Sequence, residues 1–216
     1  SYWRHLANLE HASVASFARF IQHLLVLGAP PDLIAGASKA LGEEIRHTAI
    51  CAGIGEGFGA RPQVPGRLDV RGSMAQDDVD TITIGLVQEA CIGETLSAIE
   101  VGEAARRCRE PEIRARLAEI AEDELRHAAL GWRSLKWILE TANESLRVAV
   151  AASFTQRFSR ASRHVPSTKP SQSEAFGQLD PATRAAVRQR GLEEVVRPCA
   201  QALLGLGDGS MLQLRC

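Results

Sequence analysis

The chain has 216 residues, of which 45% are hydrophobic and 24% are charged, as in an ordinary globular protein. Its 25 Lys and Arg and 26 Asp and Glu give a formal net charge of −1 and a sequence pI near 6.6. This balance disfavours nucleic acids and anionic membranes as partners. The N-terminus lacks a signal-peptide pattern, and no run of about eighteen apolar residues could span a bilayer, so we expect a cytoplasmic protein of one domain.

Cysteine usage indicates a reducing environment. The five cysteines are scattered, odd in number and never paired as C-x-x-C. This pattern argues against a disulfide framework, a zinc knuckle and an iron–sulfur site. We expect reduced, mostly buried thiols at Cys51, Cys91, Cys108, Cys199 and Cys216.

Helical periodicity dominates the chain and strand alternation is hard to find, so the predicted class is all-α. A first helix is predicted from about Tyr2 to Leu27, where Gly28 ends it. A second helix should begin after Pro30-Pro31-Asp32 and continue to about Gly53. Because the turn between them is short, the two helices should form an antiparallel hairpin.

A Gly-, Pro- and Arg-rich stretch, residues 55–76, separates this hairpin from a second one. The third helix should start at Asp78 or Asp80 and end near residue 107, and the fourth should run from Pro111 to about residue 139. Hairpin, crossover and hairpin together predict a four-helix bundle with one long connection.

The C-terminal third adds two predicted helices without clustered chemistry. One follows Asn143, a polar loop covers residues 162–179, and the last helix is capped by Asp180 and reaches about Leu204. We expect this part to cover the bundle or to mediate contacts in a homodimer. The predicted organisation is a bundle over residues 1–142 and a packed extension over residues 143–216, within the same domain.

One five-residue motif occurs twice in closely similar form, as EEIRH at residues 43–47 and as DELRH at residues 123–127. Positions i and i+3 of a helix share a face, so each motif presents a carboxylate and an imidazole together. In both helices that face continues an apolar stripe, which predicts that the pairs point into the core. The pairs are Glu44 with His47 and Glu124 with His127.

Two further glutamates extend this pattern to every helix of the predicted bundle. Glu10 lies within the apolar face of the first helix and Glu89 within that of the third. Four buried carboxylates without compensation would each cost several kcal/mol, so positive charge is needed among them. Two divalent cations would balance them, and carboxylates with imidazoles suit iron or manganese better than calcium or structural zinc.

The spacing between the single glutamate and the Glu-x-x-His motif also repeats. Glu10 precedes Glu44 by 34 residues (44 − 10), and Glu89 precedes Glu124 by 35 (124 − 89). Each hairpin therefore carries the order Glu, then Glu-x-x-His, as expected for an internal duplication. The sequence predicts one dinuclear metal site built from both hairpins.

Glu94 is a second candidate on the third helix. It lies five residues after Glu89, roughly 140° around an ideal α-helix, so both can face the core only if a local π-bulge intervenes. Gly93 could ease such a distortion. Counting back from the turn at Arg109 places Glu94 level with Glu124, which favours Glu94 as a ligand. Alignment of the repeat favours Glu89. Both remain candidate ligands, and Glu89 is preferred.

With these motifs the chain resembles the ferritin-like di-iron carboxylate superfamily, whose members include rubrerythrins, tRNA hydroxylases and bacterial di-iron monooxygenases. The resemblance covers about residues 2–140 and leaves the C-terminal third unexplained. It implies a ligand set drawn from Glu10, Glu44, His47, Glu89, Glu94, Glu124 and His127.

Glu43 and Asp123 each precede a predicted ligand glutamate. They form i,i+3 surface ion pairs with Arg46 and Arg126 in one interpretation. In bacterial di-iron monooxygenases the equivalent acids orient a ligand histidine of the other hairpin, and the resemblance implies the same role here. Related radical-generating subunits keep a tyrosine where this chain has Cys51, which disfavours radical storage.

The expected function is that of a di-iron oxidoreductase that activates O2 to oxidise or hydroxylate a small organic substrate. Its cofactors would be two iron ions, or manganese, with O2 or peroxide as co-substrate, and its partner an external electron donor such as a ferredoxin or reductase. The alternatives are a ferroxidase or peroxide scavenger of the ferritin or rubrerythrin type, and a metal-stapled structural or binding module. No basic patch suggests tRNA, and the remaining histidines lack a partner pattern: His5, His11, His23 and His164.

Overall fold

A computed structural model describes residues 2–62, 64–75, 78–160 and 172–205 of the chain. Six helices and one short 3-10 segment make up its regular structure, and no residue in these ranges belongs to a β-strand. The predicted all-α class is therefore confirmed. His164 and Cys216 lie outside the described residues, as does most of the predicted polar loop.

The first hairpin consists of α1, Tyr2–Val26, and α2, Pro31–Gly57, which pack along their length. Gly28 ends the first helix with a φ of +69°, a left-handed conformation that glycine adopts without strain. A proline begins the second helix, where its missing N–H costs no hydrogen bond. This hairpin matches the prediction, except that α2 begins two residues before its expected start and continues four residues beyond its expected end.

The described part of the crossover, between Phe58 and Asp78, contains turns but no helix or strand. His11 of α1 holds this segment through a contact of 3.2 Å between its Nε2 and the carbonyl oxygen of Gly66. The crossover therefore lies against the hairpin that precedes it.

The second hairpin consists of α3, Val79–Arg107, and α4, Pro111–Thr141. The first of these helices is α-helical at both ends and π-helical over Val87–Glu94. A buried Cys108 forms the turn between the two. The predicted bounds are confirmed within two residues.

By length and composition α3 could cross a membrane, with a mean hydropathy of 1.2 over its most apolar window. The sequence-based expectation that no segment passes this test is therefore wrong. Half of that window is buried within the protein, as in the core helix of a water-soluble protein, which passes the same test. Glu89, Glu94 and Glu100 on this helix also limit its apolar surface.

The C-terminal helices belong with the second hairpin. They are α5, Glu144–Arg160, and α6, which comprises Pro181–Gly191, a π segment at Leu192–Val196, and Arg197–Leu204. Glu100 of α3 accepts from Arg184 at 2.7 Å and from Arg188 at 2.9 Å, which attaches α6 to α3.

An unpredicted 3-10 turn, Gln172–Phe176, strengthens that attachment. Its buried Glu174 accepts a hydrogen bond from Arg107 at 2.9 Å and lies 3.0 Å from the hydroxyl of Thr183. Glu103 also accepts from Arg107 and from Arg106, and these bonds, led by that of Arg106, lower the pKa of Glu103 to about 2. The end of α3 is thus fixed by charged side chains.

By its contacts the chain divides into two compact units, Ser1–Val79 and Asp80–Cys216. The first contains the α1–α2 hairpin and the crossover, and the second contains all remaining helices. The boundary falls at the start of α3. The predicted organisation, a bundle over residues 1–142 with an extension over residues 143–216, stays a prediction. The four-helix bundle concerns the packing of one hairpin on the other and stays a prediction.

The cysteines follow the expectation where the structure describes them. None of the four described cysteines forms a disulfide; Cys51, Cys91 and Cys108 are buried and Cys199 is exposed. Burial, and to a smaller extent the nearby Cys199, raises the pKa of the Cys91 thiol well above its ordinary value. Cys91 is therefore a neutral, unreactive thiol at physiological pH.

Asp180 caps α6, as predicted, and its role can be tested. Its Oδ1 accepts from the backbone N–H groups of Ala182 and Thr183, and the hydroxyl of Thr183, 2.6 Å from Oδ2, is the main cause of a lowered pKa for this carboxyl. We expect Asp180→Ala to lower the free energy of unfolding by about 1 kcal/mol in chemical denaturation at pH 7.

Asp180→Asn is the matched control, because asparagine caps equally well. It should retain stability at neutral pH. The aspartate's pKa is depressed in the folded state, so its charge-dependent contribution is present above about pH 4 and is lost as the pH falls toward the lowered folded value. The Asn variant should lack that acid-dependent loss; an identical acid profile would contradict this role.

Candidate metal centre

The first hairpin brings together three of the predicted ligands. His47 Nδ1 lies 3.7 Å from a carboxylate oxygen of Glu44 on the same helix and 3.9 Å from one of Glu10 on α1. Each of the three residues offers a donor atom within 4.8 Å of the others. Glu44 and His47 are almost fully buried, and the side chain of Glu10 retains 14% exposure.

The local sequence accounts for this arrangement. The i,i+3 spacing sets the carboxylate and the imidazole of α2 one turn apart on the face that also buries Ala40 and Cys51. Thr48 donates its hydroxyl to the carbonyl oxygen of Glu44 at 3.0 Å, so this buried side chain satisfies itself within the helix. The predicted inward face of α2 is confirmed.

The second hairpin repeats the arrangement with Glu94, Glu124 and His127. His127 Nδ1 lies 3.8 Å from a carboxylate oxygen of Glu94, and the three residues again offer donor atoms within 4.8 Å of one another. Glu124 and His127 are each 2% exposed, whereas the side chain of Glu94 is 17% exposed. In both units the Glu-x-x-His pair is the buried part, and the carboxylate of the preceding helix is the more accessible one.

Glu94, not Glu89, is the glutamate of α3 that joins this second set. The π segment that the sequence required for two inward glutamates is present, at Val87–Glu94, yet Glu89 is exposed and lies outside the donor group. Glu94 lies 13 residues before Arg107 (107 − 94) and Glu124 lies 13 residues after Pro111 (124 − 111).

This result has a simple geometric reason. Two residues of an antiparallel hairpin are level when they are equally far from the turn. Glu89 lies five residues, about 7.5 Å of helix, farther from the turn than Glu94 and so cannot be level with Glu124. The alignment of the repeat, which preferred Glu89, compares positions along the sequence and takes no account of this height. The geometry within the unit therefore favours the second candidate that the sequence had kept.

Gly131 allows the π segment to approach α4. A Cβ built on this glycine would lie 2.6 Å from the Cβ of Ala90 and 3.1 Å from its carbonyl carbon, far closer than such atoms come. Because the contact involves backbone, it cannot be relieved by rotating a side chain. Sequence reasoning assigned no role to this glycine, because its packing role depends on the π segment that it contacts.

Thr95 and Trp132 also hold the π segment, and sequence reasoning missed both. The indole N–H of Trp132 donates to Thr95 Oγ1 at 3.1 Å, and that hydroxyl donates to the carbonyl oxygen of Cys91 at 2.7 Å. The ring of Trp132 stacks on Phe154 of α5 at 5.6 Å between centroids. These bonds fix the backbone on which Glu94 is carried.

The acids that precede the ligand glutamates are both buried. Glu43 lies 3.5 Å from Lys39, one turn earlier on α2, and Asp123 accepts a hydrogen bond from Arg126. The Asp123–Arg126 pair was predicted, but its carboxylate is 4% exposed and so the pair is not the exposed surface pair expected. The predicted orientation of a histidine of the other hairpin by each acid stays a prediction.

The donor sets fit a first-row divalent ion. Metal–ligand bonds of about 2.0 to 2.2 Å at ordinary coordination angles separate donors by roughly 3 to 3.5 Å. The separations here are 3.7 to 3.9 Å, so small side-chain movements would bring the donors onto one ion. Two carboxylates and one imidazole suit iron or manganese, and no thiolate joins either group among the described residues. Each set alone carries enough negative charge to balance one such ion.

Comparison with known proteins adds no family assignment. No protein-family model matches the chain, and no curated protein matches it significantly. The resemblance to di-iron carboxylate proteins therefore rests on the motifs and on the geometry of each hairpin.

The close approach of Gly131 to the π segment can be tested by substitution. Gly131→Ala should destabilise the protein by about 1 to 3 kcal/mol in chemical denaturation, because the added methyl group must displace the π segment. It should also weaken metal binding, since Glu94 lies at the end of that segment.

Gly102→Ala is the control. A Cβ there would meet only the Cβ of Ala121 at 4.0 Å, so the substitution should be neutral or stabilising, as for alanine in a helix. Equal stabilities of the two variants would show that the Gly131 approach is not required.

Proposed function

We propose that the two donor sets together hold two iron ions and that the protein is a di-iron oxidoreductase, which activates O2 to oxidise a small organic substrate. The observation that carries the proposal is the recurrence, in two separate hairpins, of two carboxylates and one imidazole within 4.8 Å. A ferritin-like bundle would bring the two sets to one place. A chance arrangement of surface acids would not place both Glu-x-x-His pairs among the most buried residues.

Electrostatics supports two metal ions. Glu10 and Glu44 in one unit, and Glu94 and Glu124 in the other, give four carboxylates, whose charge equals that of two divalent cations. The alternative of protonating several carboxyls would lose the donors on which iron and manganese depend. Metal binding would thus stabilise the folded chain as well as supply its chemistry.

The residues around each set prepare it for a reactive metal. Burial of the Glu-x-x-His pairs excludes water from one side, and the more exposed carboxylates of Glu10 and Glu94 leave room on the other. Bound iron would supply the electrons that reduce O2. The overall reaction is R–H + O2 + 2 e⁻ + 2 H⁺ → R–OH + H2O, with an external protein or flavin reductant as the electron source.

A substrate pocket favours an oxygenase over iron storage. A largely apolar pocket of about 530 Å³ lies in the first unit, and Ala7 and Val14, one turn on either side of Glu10, help to line it. A ferroxidase or peroxide scavenger needs only a path for small molecules, whereas an oxygenase needs a pocket of this size. The pocket therefore supports the substrate-oxidising function.

The ligand assignment predicts a defined metal content. Anaerobic reconstitution with Fe(II) should give about two iron ions per chain by metal analysis. Glu94→Ala should lose about one of them, because it removes a carboxylate from the second set. Glu89→Ala, a matched change on the same helix, should retain both; loss in Glu89→Ala with full occupancy in Glu94→Ala would reverse the assignment.

The functional class predicts stoichiometric rather than sustained oxidation in the absence of substrate. The reduced protein should take up about one O2 per chain in an oxygen electrode and then stop, because the centre waits for electrons and substrate. Excess Fe(II) should not be oxidised catalytically, and light scattering should give a monomer or dimer. Oxidation of many irons per chain by a large hollow oligomer would instead identify a storage protein.

A further inference from the structure

The pocket of the first unit has an apolar wall and a cationic rim. Ala7 and Val14 of α1 and Ile45 and Ala52 of α2 supply apolar surface, and Ile45 is 54% exposed. The crossover closes one side through Ala60 and Pro65, held in part by the contact of His11 with Gly66. A cavity of about 530 Å³ with such a lining suits a small organic molecule.

Two arginines at this pocket have no acidic partner in the described part of the chain. Arg4 of α1 and Arg61 of the crossover both line it and are exposed, and neither forms an ion pair there. Glu56 is the only acid in the lining, and it too forms no ion pair with either arginine. The lining therefore has a formal charge of +1 with His11 neutral, from two arginines and one glutamate.

We propose that this pocket binds a small carboxylate with an apolar body, such as a medium-length fatty acid or an aryl-alkanoic acid. The apolar part would displace water from Ala7, Val14, Ile45 and Ala52, and the carboxylate would pair with Arg4 and Arg61. Guanidinium groups bind carboxylates with two parallel hydrogen bonds, which gives direction as well as attraction. An uncharged ligand would leave that attraction unused, and a cationic one would be repelled.

The pocket and the first donor set are built on the same two helices, α1 and α2, although no donor residue lines the pocket. Ala7 and Val14 flank Glu10 along α1, and Thr48, which also lines the pocket, follows His47 directly and bonds the Glu44 carbonyl. That the bound carboxylate is the molecule oxidised rests on the proposed di-iron function. The binding itself does not depend on that function, because every pocket residue lies in the first unit and none is a proposed ligand.

The test uses decanoate as the probe, added to the full-length protein in isothermal titration calorimetry. We expect saturable binding to one site and an affinity that rises about fourfold per methylene from hexanoate to decanoate, as expected for apolar burial. 1-Decanol should bind at least about tenfold more weakly. Arg4→Gln and Arg61→Gln should each weaken decanoate binding by about tenfold, and Ala49→Trp should block it by filling the pocket.

Two control variants locate the binding. Arg67→Gln removes a cation of the same crossover that does not line the pocket, and it should leave the affinity unchanged. Glu94→Ala removes a proposed metal ligand of the other unit and should also leave the affinity for decanoate unchanged. Loss of decanoate binding in Glu94→Ala would mean that decanoate binds at the metal. Equal binding of decanoate and 1-decanol, or full affinity in both pocket arginine variants, would overturn the inference.

Turnover separates this inference from the proposed function. Decanoate that binds as expected and is hydroxylated by the reduced, iron-loaded protein with O2 would support both. Binding without any oxidation would retain the carboxylate site and reject the bound acid as the substrate. Absence of binding, with about two irons per chain and stoichiometric O2 uptake, would reject the carboxylate site alone.

Discussion

The burial of a carboxylate and an imidazole side by side on one helix is the constraint on which the rest of the arrangement depends. Glu44 and His47, and again Glu124 and His127, are almost entirely removed from solvent. Such pairs are costly in an apolar core unless charge and hydrogen bonding compensate them. The proposed divalent ion in each set would supply that compensation, and it would account for the recurrence of the same motif in both hairpins.

The π segment of α3 follows from the same constraint. Its flanking helical parts bury Leu86 and Leu96, while its last residue must carry a carboxylate level with Glu124. The wider turn of a π segment rotates the side chains that follow it around the helix axis without ending the helix. The cost is a disturbed backbone, which the hydroxyl of Thr95, the indole of Trp132 and the absent side chain of Gly131 accommodate.

Charged side chains attach the C-terminal helices to α3 within the second unit. Glu100 holds two arginines of α6, and Arg107 joins Glu103 to the buried Glu174. Among the described residues of the C-terminal third, these charged side chains form contacts between helices, and none of them joins a metal-donor group. The first unit, by contrast, leaves Arg4 and Arg61 at an apolar pocket, where charge is available to a ligand.

The sequence by itself determined the all-α class, the two hairpins with their approximate bounds and the inward Glu-x-x-His pairs, because helix periodicity and capping are local properties. It required a π distortion near Gly93 only if Glu89 and Glu94 both faced the core. It did not decide between Glu89 and Glu94, since that choice depends on height across the hairpin and on the backbone of α3. The 3-10 turn at Glu174, the support from Gly131 and Trp132, and the pocket lined by Arg4 and Arg61 appeared only in the tertiary structure. These features join residues that are distant in sequence, and contacts of that kind are set by packing rather than by local pattern.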